Sequence, residues 1–242
     1  MARHSHWHKI KRFKDIADAK RAAKFTQYAR AITMAARKKG GDPAMNFKLR
    51  VEIDMARAVN MPKDNIDRAV KRGTVELEAE AIEELLYEGY GPGGAAVLVE
   101  SLTDNRARTA GNVKHLFGAN GGNLGATNSV AWMFTYKGVI RIPAAALEGR
   151  DTDEAEMKLI EAGAEDIKQE PEGWTVIASF GDFQNVKERI ERSGFAVESA
   201  ELEYIAKDEI AIPEEQKEAL SELLEALEDD EDVKAVYTNA AP

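Results

Sequence analysis

The densest group of side chains capable of chemistry lies in the first 14 residues, MARHSHWHKIKRFK. His4, His6 and His8 alternate along this arm. Alternate residues of a strand share one side, so the three imidazoles could reach a single metal ion. The neighbouring lysines and arginines repel a cation, and the arm contains no carboxylate to offset them. We therefore predict no metal site here.

The composition of the same arm suits nucleic acid better than it suits a metal. Aromatic rings such as Trp7 and Phe13 can stack on bases, and the arm's cations can meet phosphates. The candidate binding residues of the arm are Trp7, Lys9, Lys11 and Arg12.

The rest of the chain offers few catalytic groups. It has no cysteine, and its fourth histidine, His115, is the only one outside the arm that a Ser-His-Asp arrangement could use. The glycine-rich stretches GYGPGG and GANGGNLG lack the context of a phosphate loop or a dinucleotide fingerprint. The acidic run 227–232 is interpreted as a solvated cap. We predict no enzyme, no cofactor and no small-molecule substrate.

A second polar cluster, LTDNRART at 102–109, falls in a predicted loop between a strand and a helix. Two interpretations remain open. Either Asp104 or Thr109 caps the helix while the arginines pair with nearby acids, or the arginines also contact phosphate. The candidates are Asp104, Asn105, Arg106 and Arg108.

The formal net charge of −10 hides an asymmetry between the two parts of the chain. Residues 1–73 contain 19 Lys and Arg against 7 Asp and Glu, a net of +12, and the remainder contains 14 against 36, a net of −22. Such a split favours a polyanion-binding module joined to an acidic body. The alternative is a pair of solvated faces, although a net of +12 repels itself without a partner.

The basic part is predicted to be helical. Residues 16–39 lack Gly and Pro and are rich in alanine, which predicts a first helix ended by Gly40 and Gly41. Asp42 as N-cap and Pro43 as first residue predict a second helix, to about residue 59, with Met45 in the core. Asn60 and Pro62 predict a left-handed cap and a third helix that ends near residue 73.

The acidic part is predicted to be α/β. After an acidic linker at 76–86 we expect a strand at 95–102, a helix at 109–119 and a strand at 129–136, with a hairpin turn at Lys137 and Gly138. Residues 139–199 then follow the βαββαβ order of a ferredoxin-like sandwich, and a helix at 214–228 and a strand at 233–238 complete the flanking unit.

The predicted fold class is therefore α+β and multidomain, with a three-helix domain followed by two ferredoxin-like α/β sandwich domains, one inserted in the other. The boundaries are 1–76 for the basic helical domain with its arm, 77–138 plus 200–242 for a discontinuous α/β domain, and 139–199 for the insertion. No run approaches the roughly 18 apolar residues of a membrane span, and no apolar segment follows the basic N-terminus. We expect a cytoplasmic protein without a membrane partner.

Five stretches of the chain form a distinctive set: HSHWHKIK, GGDPAMNFKLR, ARAVNMPKDNIDRAVKRG, YEGYGPGGAAVLVESLTDNRART and GGNLGATNSVAWMF. Together they resemble the YebC/PmpR family, whose mitochondrial branch is known as translational activator of cytochrome c oxidase. The resemblance implies a helical N-terminal domain, two α/β domains and no catalysis. It also implies either DNA-binding transcriptional regulation or ribosome-associated assistance to translation through difficult, proline-rich sequences.

Positions that match the family's basic pattern extend the candidate set. The chain departs from that pattern at Arg3, His6 and His8, which makes the histidine triplet a local elaboration. The positions carried over, with those of the 102–109 cluster, are Lys9, Lys11, Lys20, Arg21, Arg37, Arg57, Lys63, Arg68, Lys71, Asp104, Asn105, Arg106 and Arg108.

The sequence thus predicts a non-catalytic regulator of gene expression that binds DNA or ribosomal RNA, with the ribosome as a further partner. A protein-interaction scaffold and a metal-dependent nuclease or hydrolase remain alternatives. DNA and ribosomal RNA are not distinguished by sequence, and no oligomeric state is predicted.

Overall fold

The computed structural model describes residues 18–75 and 82–241. Within these segments, residues up to Phe134 and from Ala206 onward form one compact unit, and Thr135–Ile205 form a second. The helices are α1 Asp18–Lys39, α2 Phe47–Ala58, α3 Lys63–Thr74, α4 Arg106–Ala119, α5 Thr152–Glu161, α6 Phe183–Arg192 and α7 Glu214–Glu228. The strands are β1 Glu83–Tyr90, β2 Ala96–Thr103, β3 Asn123–Leu124, β4 Phe134–Pro143, β5 Asp166–Glu170, β6 Gly173–Ala178, β7 Ser199–Ala206 and β8 Val233–Thr238.

The first three helices form the predicted helical region, with Ile32, Leu49 and Ile53 among the residues of their shared core. Helices α1 and α3 approach closely because Gly73 has no side chain: a Cβ there would overlap the carbonyl oxygen of Thr33. The Thr33 hydroxyl donates to the carbonyl of Ala69 over 3.0 Å and fixes this crossing.

The start of α2 differs from the sequence prediction. The helix begins at Phe47 with Asn46 as its N-cap, whose side chain accepts from the Leu49 N–H over 3.1 Å. Asp42, the predicted cap, instead closes a turn by accepting from the Ala44 N–H. Residues before Asn46 are therefore outside the helix, and Met45, predicted in the core, is 83% exposed. The predicted left-handed Asn60 is confirmed, with φ of 60°.

The first unit also contains a four-stranded antiparallel sheet of order β3-β1-β2-β8. Helices α4 and α7 pack on it through a core that includes Val99, Phe117 and Leu223. Strand β1 corrects the prediction of an acidic linker up to residue 86. The glutamates of this strand obscure the alternation of apolar and polar residues that would have predicted it. Two of them, Glu84 and Glu88, have specific partners inside the protein.

The second unit has the predicted ferredoxin-like arrangement. Its sheet order is β5-β6-β4-β7, with α5 between β4 and β5 and α6 between β6 and β7. The predicted hairpin at Lys137 and Gly138 is wrong, because β4 continues through both residues. Gly138 is required for packing instead of turning: a Cβ there would overlap the ring of Phe183 on α6.

The strand predicted at 129–136 is absent as such. Residues 125–133 form a loop with a short 3-10 turn, and β4 begins only at Phe134. Across residues 18–75 and 82–241, no helix is both long enough and apolar enough to cross a bilayer.

Candidate nucleic-acid interface

The cations of the helical region divide by what their side chains contact. One group faces the sheet of the first unit and pairs with its acids. Lys48 lies 2.9 Å from Glu84, Lys38 pairs with the same carboxylate, and Arg30 lies 2.7 Å from Asp232. We call these three interactions the docking pairs. In these pairs the protein's own acids neutralise the cations, so their charges are not available to bind a polyanion.

Asp232 is the centre of the tightest of these contacts. Its side chain is fully buried, and it accepts from Arg108 at 2.9 Å and from the Thr109 hydroxyl at 2.8 Å in addition to Arg30. Burial raises the pKa of Asp232, but the hydrogen bonds from Arg108 and Thr109 and the nearby arginine charges outweigh it, so the pKa is lowered overall. The prediction of a solvated acidic run at 227–232 is therefore wrong at Asp232.

Glu84 forms the second centre. Burial alone would raise its pKa, yet the hydrogen bonds and charges of Lys38 and Lys48 lower it to about 2. At one further contact the sheet supplies the cation and the helical region supplies an acid. Lys234 of β8 lies 2.9 Å from the buried Glu52 of α2 and 3.2 Å from Glu100. Sequence reasoning missed these acids because their partners lie far along the chain, and no local spacing indicates such pairs.

The second group of cations is exposed. Arg57 on α2 lies 3.3 Å from Asp54, but 66% of its side chain remains exposed, and Lys63, Arg68 and Lys71 of α3 are exposed as well. Arg68 also donates to the side chain of Asn65 on its own helix. Every candidate that the sequence proposed on α2 and α3 thus lies in this exposed group.

Two helix ends bring several exposed cations together. Gly73 of α3 packs so closely on α1 that a Cβ there would lie 3.2 Å from the backbone nitrogen of Arg37. The last turns of both helices are basic, and we give the name helix-end cluster to their exposed cations that form no docking pair: Arg37, Lys39, Lys71 and Arg72. Cations at helix C-termini are stabilised locally by the helix dipole, and they can also bind phosphate.

The remaining candidates of the N-terminal segment are described only in part. Lys20 and Arg21 belong to the backbone of α1, but their side chains lie outside the described part of the structure, as do Trp7, Lys9, Lys11 and Arg12 together with the histidine triplet. In the described segments, no group of three or more His, Asp or Glu side chains could hold a metal ion.

The 102–109 cluster confirms the predicted pairing of an arginine with nearby acids, at Arg108, but its helix cap differs from the prediction. Helix α4 begins at Arg106, and its cap is Asn105, which accepts from the Arg108 N–H over 3.0 Å; neither Asp104 nor Thr109 caps it. Arg108 bridges Asp232 and Asp104, the latter at 2.9 Å, and these acids raise the pKa of Arg108. The anion at this helix N-terminus is thus the protein's own Asp232.

Arg106 is placed differently from Arg108. It lies in the first turn of α4, and its side chain is exposed, while its carbonyl accepts weakly from the Tyr87 hydroxyl at 3.4 Å. His115 is exposed farther along the same helix. Together, the exposed cations can neutralise phosphates, whereas the docking pairs hold the helical region on the sheet.

Comparisons with known proteins place this arrangement in a family. Residues 5–76 match the domain described as "TACO1/YebC protein N-terminal domain", and residues 82–240 match "TACO1/YebC second and third domain". A relative from Treponema pallidum (strain Nichols) is 48% identical over 241 residues, covering 99% of this chain and 97% of the relative. One from Persephonella marina is 47% identical, with 99% and 95% covered. Both are named "Probable transcriptional regulatory protein".

A solved structure agrees with these matches. The crystal structure of a conserved hypothetical protein from Aquifex aeolicus has a TM-score of 0.84 and 40% sequence identity, and the match covers 93% of this chain and 91% of that one. Sequence matches over both segments and the shared fold lead to one conclusion. The chain belongs to the TACO1/YebC family.

Proposed function

We propose that this protein is a non-catalytic regulator of gene expression that acts by binding nucleic acid in the cytoplasm. The observation that carries the proposal is the division of its cations. Arg30, Lys38 and Lys48 pair with internal acids, whereas Lys39, Lys63, Lys71 and Arg72 are exposed cations that form no docking pair. Exposed lysines and arginines supply affinity for phosphates without reading sequence.

The names of the relatives support a regulatory role, since those proteins are named "Probable transcriptional regulatory protein". Two targets fit the chemistry: duplex DNA near promoters, and ribosomal RNA, through which the protein would assist translation. The acidic body, with its net of −22, repels long flanking duplex and favours a defined RNA pocket.

Crosslinking of the full chain in cells, followed by sequencing of the bound nucleic acid, tests the proposal. Reads concentrated in ribosomal RNA, with cosedimentation on ribosomes, would support the translation role, and reads concentrated at promoters would support transcription. A Lys71→Glu variant should lose most crosslinks. The matched control is Arg192→Glu on α6, where 75% of the side chain is exposed and the charge change is the same. Equal crosslinking by both variants would contradict the proposal.

A further inference from the structure

One segment of the chain, nearly all of it in the first unit, contains no Asp, Glu, Lys or Arg. Between Lys114 and Lys137 lie 22 residues without Asp, Glu, Lys or Arg, although charged residues make up 31% of the chain and about seven would be average. Most of Ala126–Trp132 is exposed, yet this loop contributes nothing to the net −22 of the acidic part. A polyanion therefore meets less local repulsion at this loop than at the charged surfaces of that part.

The loop is held rigid by a buried carboxylate. Glu88 of β1 is 5% exposed and accepts three backbone N–H groups, from Asn128 at 2.7 Å, Val130 at 2.8 Å and Ala131 at 2.6 Å. A buried carboxylate is costly unless it is hydrogen-bonded in this way. The Tyr90 hydroxyl adds a bond to the carbonyl of Ser129 over 3.2 Å.

A tryptophan stands on this rigid loop. Trp132 is 63% exposed, and its indole N–H donates to the carbonyl of Ser129 over 3.1 Å, which fixes the ring. Its own carbonyl accepts from the Lys207 ammonium at 2.7 Å, so a cation lies beside it. The acidic residues Asp208 and Glu209 follow Lys207, but the loop itself presents only neutral groups. An exposed ring held in one position loses little entropy when a flat partner stacks on it.

We propose that Trp132 is a stacking platform for an unpaired nucleobase. The other exposed residues of the loop, Ala126, Thr127 and Asn128, are small or polar, and the amide and hydroxyl can hydrogen-bond to base edges. A protein-docking site would surround the ring with further apolar side chains, as interface centres do. The proposal rests on the proposed function and adds the class of ligand: single-stranded, not fully paired, nucleic acid.

Binding of single-stranded oligonucleotides to the full chain tests the platform. Trp132→Ala should weaken binding roughly five-fold to a hundred-fold, the range for one stacked base, and Trp132→Phe should weaken it less. The slope of affinity against salt should not change, because no phosphate contact is removed. An oligonucleotide with abasic sites carries the same phosphates, and its binding should be indifferent to Trp132→Ala.

Different failures have different meanings. If Trp132→Ala binds every oligonucleotide as tightly as the unchanged chain does, the proposal that Trp132 stacks on a base is wrong. Contact with a protein partner would then be the remaining role for the exposed ring. The proposed function still stands in that case if Lys71→Glu reduces the salt slope. If the unchanged chain binds no nucleic acid, both are wrong.

Fluorescence gives a second readout without altering the loop. In a Trp7→Phe chain the remaining tryptophans are the exposed Trp132 and Trp174, which is 7% exposed. Single-stranded oligonucleotide should quench the exposed component, and the abasic oligonucleotide should not. Binding without quenching would overturn the proposal even if Trp132→Ala failed to fold.

Discussion

At the scale of single residues, Asp232 has the clearest structural role. It is a fully buried acid whose partners come from α1 and α4, and it joins the helical region to the sheet. Asp232→Asn keeps the shape and removes the charge, so the arginines lose their counter-ion. We expect a loss of about 1–3 kcal/mol in the free energy of unfolding, measured by urea denaturation. Glu231→Gln, the same chemical change at the exposed neighbouring residue, should be near neutral; equal effects would contradict the role of Asp232.

Substitution of the two arginines of α4 should affect different properties of the protein, stability for Arg108 and nucleic-acid binding for Arg106. Arg108→Ala removes partners of Asp232 and Asp104, so it should lower the melting temperature. Arg106→Ala removes an exposed side chain, so it should leave the melting temperature unchanged. If Arg106 meets a phosphate, that variant should reduce the salt slope of binding by about 1. Reversed phenotypes, with Arg106→Ala unstable and Arg108→Ala defective only in binding, would contradict the assignment.

At the scale of elements, the crossing of α1 and α3 depends on Gly73. A methyl group there meets the backbone of Thr33 and the side chain of Ala36. Gly73→Ala should therefore cost about 1–3 kcal/mol by overpacking, despite the better helix propensity of alanine. Gly111→Ala on α4 is the control, because nothing lies within 4 Å of its added Cβ. That change should stabilise the protein by about 0.5–1 kcal/mol. Thermal denaturation of the two variants measures these effects. If both variants were more stable than the unchanged chain, the helices would not cross at Gly73.

The docking pairs should make the attachment of the helical region depend on pH. The pKa values of Glu84, about 2, and of Asp232 are lowered in the folded state. A lowered carboxyl pKa contributes stability above the unfolded value, and that stability is lost as the pH falls through the folded value. For Glu84 the loss should occur between pH 4.5 and about 2.

Hydrogen exchange of α1 and α2 amides across this pH range measures the effect, after correction for the intrinsic exchange rate. Protection should fall in both helices, and Glu84→Gln should remove part of the pH dependence. Protection that stays constant down to pH 2 would mean that the pairs do not hold the helices.

At the scale of the whole molecule, the sequence predicts the features that are determined by neighbouring residues and misses those that are determined by residues far along the chain. Helix α3, the βαββαβ order and the left-handed Asn60 depend on nearby residues, and the structure confirms them. Gly138 suggested a turn, but glycine is required there because the ring of Phe183 packs against it, and Phe183 is 45 residues away in the chain. Asp232 looked solvated because its partner Arg30 is 202 residues away. Such contacts leave no spacing signal.

The same limit applies to the candidate interface. Composition predicted a basic helical region, but it could not separate cations that dock on the sheet from cations that face solvent. Lys38 and Lys39 are neighbours with the same chemistry, yet only Lys38 has Glu84 as a partner among the ion pairs of the described segments. That distinction comes from the packing of α1 on the sheet, which no local pattern encodes.

The central claim is that the exposed cations of the helical region bind phosphate, and a salt titration tests it most directly. Affinity for one oligonucleotide is measured as salt is varied, for the unchanged chain, for Lys63→Glu, for Lys71→Glu and for the Arg192→Glu control. With on the order of four to six phosphate contacts, the slope of log affinity against log salt should lie near −3 to −5. Each of the first two variants should flatten it by about 1 or more, and the control should not. A slope near zero, or equal slopes in all four proteins, would contradict the account.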